Sequence, residues 1–173
     1  MAKYNNFEID KMLASMVILV DTKEQPTERF DRRTEGFNCP FVRKCLPYGD
    51  YSAQYVDLDG NVVSVENKIS IERKKDLDEV CMCFTKDRAR FAREFERAKA
   101  DGARMYLLIE NENWEKALNG KYRSKLNPKA LKASLLAWMA RYNLHIFYCK
   151  EETTGGMIRD ILYYELKELL QNE

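Results

Sequence analysis

Hydrophobic and polar positions divide the chain into short alternating segments. Met16-Val-Ile-Leu-Val20 is a continuous apolar run ending in Asp21, the pattern of a central strand buried on both faces with a charge at its carboxyl end. Residues 27–36 are polar and are expected to include a short helix before a second strand at about Asn38–Leu46. Pro47-Tyr48-Gly49 interrupts the pattern, and Tyr51–Leu58 then alternates into Asp59-Gly60, a two-residue hairpin signal. The return strand is predicted over Val62–Glu72, with Val63, Val65, Ile69 and Ile71 on one parity. From Asp76 to Ala100 the apolar residues Leu77, Val80, Cys81, Phe84, Phe91, Phe95 and Ala98 repeat at helical spacing, with a break expected near Thr85 to Asp87. Met105–Ile109 reads as a buried strand, a loop and short helix follow around Trp114, and Asn127-Pro128 has the cap-then-proline form of a helix start. That helix should run to about Tyr142, ahead of a last strand at Leu144–Cys149 and a terminal helix ending near Leu170. Strands interleaved with helices predict an α/β fold, a mixed central sheet flanked by helices on both faces.

A length of 173 residues with 45% hydrophobic content fits one domain with a sizeable core. No apolar run approaches the ~20 residues that span a bilayer, and the first apolar stretch follows acids rather than a basic leader. A cytoplasmic protein without a membrane partner is the expectation. The five cysteines, Cys39, Cys45, Cys81, Cys83 and Cys149, include no Cys-x-x-Cys pair and read as reduced, mostly buried thiols. The only histidine, His145, lies in an apolar strand and is expected to be structural, which removes every mechanism built on a histidine pair. Net charge is +1, but its distribution is uneven: Lys116 to Lys150 holds eight Lys or Arg and no acid, a local basic surface suited to phosphate.

The candidate chemistry lies at two predicted strand ends, Gly49-Asp50 and Ile71-Glu72-Arg73-Lys74. In an extended strand Glu72 and Lys74 share one face while Arg73 points to the other. The open end of the Asp59-Gly60 hairpin brings Asp50 back towards Glu72. Two carboxylates from different strands can hold one hard divalent cation, with Lys74 beside the attacking water. A charged hairpin edge that discourages aggregation has the same composition. Glu66-Asn67-Lys68 repeats the Glu-x-Lys pattern on the same parity, and Glu66 becomes the ligand if the register is shifted, while Glu110 either reaches the site from its own strand end or is solvated there.

Together these residues resemble the nuclease domain of the XPF-like family, a branch of the restriction-endonuclease-like fold. Its signature, Gly-Asp followed after a gap by Glu-Arg-Lys-x-x-x-Asp, is filled by Gly49-Asp50 and by Glu72-Arg73-Lys74 with Asp78. Val20-Asp21-Thr22-Lys23-Glu24, Leu46-Pro47-Tyr48-Gly49-Asp50-Tyr51 and Arg90-Phe91 are similar to its other motifs, and the likeness runs from about residue 16 to 171. Three departures stand out: Lys23 replaces an arginine, the gap from Asp50 to Glu72 is long, and Glu94 stands where a glutamine is frequent.

The resemblance implies a single nuclease domain over residues 1–173, free-standing and of bacterial or phage type, without a helix-hairpin-helix or helicase module. Its implied activity is metal-dependent DNA endonuclease cleavage of branched or flapped duplexes, with Mg2+ as cofactor, Mn2+ substituting, and a homodimer as an expected assembly. The implied metal ligands are Asp50, Glu72 and the backbone carbonyl of Arg73, with Asp21 acting through water or at a second ion. Lys74 orients the water, Glu24 positions Lys74 or Lys23, and Asp78 caps the following helix and pairs with Arg73. Phosphate contacts are expected from Lys23, Lys121, Arg123, Lys125, Lys129 and Lys132, joined by Lys86, Arg88, Arg90 and Arg93 along the helix, with Tyr122 a candidate for base stacking. The alternatives are a catalytically silent DNA-binding or interaction subunit, and an exonuclease or recombination nuclease of the same fold.

Overall fold

A computed structural model describes residues 3–172. Its sheet is built from β1 (Val17–Asp21), β2 (Phe41–Lys44), β3 (Tyr51–Val56), β4 (Val62–Ser64), β5 (Ile69–Lys74), β6 (Arg104–Glu110) and β7 (His145–Cys149). The strand order is β2-β1-β3-β5-β6-β7, with β4 paired to β3 beside this path. β1 runs parallel to β2, β3 is antiparallel to both β1 and β5, and β5, β6 and β7 are mutually parallel. The start of β3 therefore lies between the carboxyl ends of β1 and β5, with Tyr51 opposite Val20 on one side and Ile71 on the other. Asp21, Asp50 and Glu72 are delivered to the same edge of the sheet by this alternation of direction.

Helices cover both faces. α1 (Asn6–Ala14), α2 (Glu28–Glu35) and α7 (Thr154–Gln171) pack with Ile18, Val20, Tyr51, Ala53, Ile69, Ile71, Tyr106 and Leu108. α3 (Leu77–Phe84), α4 (Arg88–Ala100), α5 (Trp114–Leu118) and α6 (Pro128–Tyr142) enclose Met105, Leu107 and Ile109 on the other face. On β6 the two sets alternate residue by residue, as the pleat requires. On the second face Trp138 stacks on Phe91, with centroids 5.0 Å apart and rings inclined by 14°, so this tryptophan is a packing residue.

Caps explain where several helices start. Asp76 accepts the N–H of Glu79 at 2.9 Å, and Asn127 accepts that of Lys129 at 2.9 Å ahead of Pro128. The break expected near Thr85 separates α3 from α4. α1 lies ahead of every predicted element; a capping box between Asn5 and Glu8 starts it, and Ile9, Met12 and Leu13 bury one side.

The predicted return strand Val62–Glu72 is two strands. Val65 tucks into the core, and the N–H groups of Lys68 and Ile69 both donate to its carbonyl, at 2.8 and 3.0 Å, closing a turn between β4 and β5. Polar Glu66-Asn67-Lys68 occupies this turn, and Glu66 pairs with Lys44 at 2.7 Å. The second Glu-x-Lys is thus removed from the strand register that carries Glu72.

Candidate active site

Asp50 is fixed by its backbone before its side chain does anything. Its N–H donates to Ile71 O at 2.8 Å, its carbonyl accepts from Asp21 N–H at 2.8 Å, and its Oδ2 accepts from Arg73 N–H at 2.7 Å. Gly49 makes this approach possible: its φ is +68°, and a Cβ there would lie 2.2 Å from Ser70 Oγ. That hydroxyl in turn donates to Tyr48 O at 2.9 Å, so it has little freedom to retreat.

Glu72 and Lys74 share the α4 face of β5, as the strand parity predicts. The Lys74 ammonium donates directly to Glu72 Oε1 and sits 5.4 Å above the Phe91 ring. With Asp50 they line a cleft of about 150 Å³ whose rim carries Lys23, Arg90 and Glu94. Burial, and then the neighbouring Glu72, hold the Asp50 carboxyl well above the usual carboxylate range, while Lys74 opposes the rise. Glu72 is raised in the same way by burial, again against Lys74. Burial alone would lower Lys74, but Glu72 and Asp50 hold its ammonium above the ordinary value. The lysine therefore stays charged, and the two carboxylates are under-compensated.

This donor set fits a hard divalent cation. Among the described residues no hydrogen bond reaches Asp50 Oδ1 or Glu72 Oε2, so each acid keeps one oxygen uncommitted. Added positive charge would relieve both acids, and carboxylate oxygens suit Mg2+ or Mn2+ better than softer metals. No group of three or more His, Cys, Asp or Glu among the described residues forms a metal cluster, so further ligands would have to be backbone carbonyls or water.

Several expected roles change. Asp21 is fully buried, with Oδ1 accepting the N–H of Lys23 at 2.7 Å and Oδ2 that of Leu46 at 2.8 Å, so it ties two loops together behind the cleft. Among the described residues the Glu24 carboxylate makes no hydrogen bond or ion pair with Lys74 or Lys23. Its Oε2 accepts from Arg33 Nη1 at 2.8 Å and from Tyr51 Oη at 2.5 Å, and lies 3.7 Å from Arg73 Nε. Arg73 turns away from Asp78 and reaches Glu110 instead, at 3.1 Å, because its strand parity sends it to the α2 face. Asp78 pairs with Arg123 at 2.9 Å and accepts the N–H groups of Arg123 and Ser124, whereas Asp76 caps α3. Glu110 is wholly buried, neither solvated nor in the cleft. Tyr122 donates to Leu126 O at 2.8 Å and packs against the core, so its ring is not presented as a stacking platform. His145 stacks on Tyr106 at 5.1 Å, but its Nε2 is buried without a hydrogen-bond partner, unlike a satisfied structural histidine.

Lys121, Arg123 and Lys125 on the segment leading into α6, and Lys129 in its first turn, are exposed. Asp78, four residues beyond Lys74, anchors the middle of that loop through Arg123. The basic segment is thereby held beside the carboxyl end of β5. Arg33 has no role in the sequence-based reading. Its signal is spacing: with Phe30 and Phe37 both buried, an arginine at i+3 from the first falls on the buried side of α2.

Comparison with known proteins places these features in a family. No curated protein sequence matches the chain. Among solved structures, XPF from Aeropyrum pernix superposes with a TM-score of 0.60 at 19% identity, covering 86% of this chain and 61% of that one. XPF from Aeropyrum pernix in complex with DNA gives a TM-score of 0.60 at 18% identity, covering 88% and 66%. The chain thus spans about two-thirds or less of the length of these XPF chains, and its seven-stranded mixed sheet with flanking helices is their nuclease fold. The ERCC4 domain model matches residues 20–160, a span that includes Asp21, Asp50, Glu72, Lys74 and Glu110, and the chain accordingly belongs to the ERCC4 domain family of XPF-like nucleases.

Proposed function

We propose that the chain is a divalent-metal-dependent DNA endonuclease acting on branched or flapped duplexes. The observation that carries this reading is the convergence of Asp50, Glu72 and Lys74 from two strands on one cleft, with cationic Lys23 and Arg90 at its rim. Asp50 and Glu72 would hold Mg2+ or Mn2+, with the Arg73 carbonyl as a third ligand. When bound, the ion would neutralise the non-bridging phosphate oxygens and acidify the attacking water.

The remaining work falls to the chain's own side chains. Lys74, whose ammonium donates to Glu72 Oε1, would orient the water and stabilise hydroxide as it forms. Lys23 and Arg90 would contact the phosphates flanking the scissile bond. The basic segment from Lys121 to Lys129 would position the backbone without reading bases. DNA as partner is supported by the family and by the likeness to XPF from Aeropyrum pernix in its complex with DNA.

The test is cleavage of labelled flap, fork, junction and linear duplexes with Mg2+ or Mn2+, beside an Asp50→Asn control. Preferential cutting of branched substrates by the parent alone supports the reading. DNA binding with no cutting under either ion would favour a silent DNA-binding subunit. Degradation from free ends of linear duplex would favour an exonuclease.

A further inference from the structure

Behind the cleft, on the opposite face of the sheet, two arginines and two glutamates meet, Arg33 and Glu110 buried and Arg73 and Glu24 half-buried. Arg33, only 5% exposed, is the single cation among the buried charged residues described. It enters from α2 and donates from Nη1 to Glu24 Oε2 at 2.8 Å and to Tyr51 Oη at 2.9 Å, with Nε 3.7 Å from Glu110 Oε1. Glu110 Oε2 then meets Arg73 Nη1 at 3.1 Å, and Arg73 Nε returns to Glu24 at 3.7 Å. Charges alternate around a closed, formally neutral ring. Glu24 follows β1, Arg73 lies on β5 and Glu110 ends β6, while Tyr51, hydrogen-bonded to the ring, begins β3, so the cluster spans four neighbouring strands at the edge that carries the cleft.

Arg73 and Tyr51, the phenol hydrogen-bonded to the ring, are immediate neighbours of cleft groups. Tyr51 follows Asp50, and Arg73 lies between Glu72 and Lys74. The Arg73 N–H also donates to Asp50 Oδ2 at 2.7 Å, so a rotation of the peptide at Arg73 would move both carboxylates. α2 packs closely on α7: a Cβ at Gly155 would lie 2.1 Å from Arg33 O, so only glycine allows the two helices to meet there. Buried ion pairs of this kind rarely exceed an apolar core in stability, which leaves geometric definition as their contribution.

We infer that Arg33 is a positioning residue, which acts with Glu110 through Arg73 to fix the metal-holding geometry of Asp50 and Glu72 from the far side of the sheet. The inference rests on the metal-dependent reading of the cleft, but one of its readouts does not. The variant to compare with the parent is Arg33→Met combined with Glu110→Gln, which removes one charge of each sign and leaves Glu24 to face Arg73. Arg33→Met alone would strand a buried carboxylate and confuse folding with positioning.

Two measurements on the intact chain decide the matter: the Kd for Mn2+ by calorimetry, and hydrogen exchange of the Arg73 amide against that of Leu135 in α6. Loss of partners behind metal ligands typically weakens metal affinity by about 10–100-fold, and roughly tenfold is expected here. Exchange at Arg73 should accelerate while Leu135 is unchanged. A double variant with parental Mn2+ affinity and parental Arg73 exchange would overturn the inference, as would equal acceleration at both amides, which would show a general loss of stability. Should the parent neither cleave DNA nor bind Mn2+, the nuclease reading fails, and the exchange comparison alone then decides whether Arg33 holds the Arg73 peptide.

Discussion

At the scale of single residues, the raised carboxyls give the site a pH signature. A carboxyl whose folded pKa lies above its unfolded value binds more protons in the folded state, so stability falls as pH rises from the unfolded pKa through the folded one. Above both, Asp50 and Glu72 each cost stability in the metal-free protein. Asp50→Asn and Glu72→Gln should therefore abolish cleavage yet raise Tm in the presence of a chelator, by about 2–4 °C per kcal/mol relieved in a chain of this size. Asparagine keeps an acceptor for the Arg73 N–H, so the fold should be retained. A lower Tm in both variants, measured by calorimetry with EDTA, would contradict the electrostatic account. Mn2+ should reverse the order by stabilising only the parent. Lys74→Ala should lower turnover by roughly 10²-fold or more in single-turnover cleavage, with a smaller effect on DNA affinity, whereas Lys68→Ala, in the turn before β5, should be mild. Parity and the flanking glycine made the convergence of Asp50, Glu72 and Lys74 on one cleft legible in the sequence. The partners of Glu24, Arg73 and Asp78 were not legible, since strand parity says which face a side chain takes and nothing about which helix covers that face.

At the scale of elements, the approach of β3 to β5 depends on two glycines of unequal burden. Gly60, at φ +86° in the hairpin, has no atom within 4 Å of the Cβ that an alanine would add, so Gly60→Ala meets only backbone strain, about 1–2 kcal/mol. Gly49→Ala meets the same kind of strain and also Ser70 Oγ at 2.2 Å. It should cost more stability than Gly60→Ala and, by displacing Asp50, remove cleavage in whatever fraction remains folded. Denaturant unfolding of both variants with Gly49→Ala/Ser70→Ala checks this, because removing the hydroxyl should recover the steric part alone. Most elements were readable from periodicity: β1, β3, β6, both halves of the broken helix and α6 fall where the apolar spacing and the Asn127-Pro128 cap place them. The division of Val62–Glu72 was hidden because Val65 and Ile69 share a parity across a turn that leaves the alternation intact. α1 was hidden because its start depends on a reciprocal side-chain bond between Asn5 and Glu8 rather than on a long apolar stripe.

At the scale of the whole molecule, a net charge of +1 leaves DNA affinity to the arrangement of charge rather than its sum. Acids and bases are segregated: the segment from Lys116 to Lys150 is basic without acids, and Asp78 fastens its loop beside the carboxyl end of β5. Arg123 is committed to that anchor, so the side chains free to meet phosphate there are Lys121, Lys125 and Lys129, all exposed. Neutralising these three together should weaken binding to every duplex sequence alike, since phosphate contacts carry no base information. Each lost contact removes about 0.9 from the slope of log affinity against log salt, so the triple variant should flatten the slope by up to about 2.7. Fluorescence anisotropy over a salt series, with Ca2+ in place of Mg2+ to prevent cutting, reads both quantities, and Mn2+ affinity should be unchanged. Asp78→Ala provides the complementary perturbation: it removes the acceptor of the Arg123 and Ser124 N–H groups, releases the loop without removing a basic side chain, and should weaken binding while leaving the total positive charge of the segment intact. An unaltered slope in the triple variant would mean that DNA approaches instead along α4, where Arg90 already stands at the cleft rim and Arg93 follows it on the exposed side.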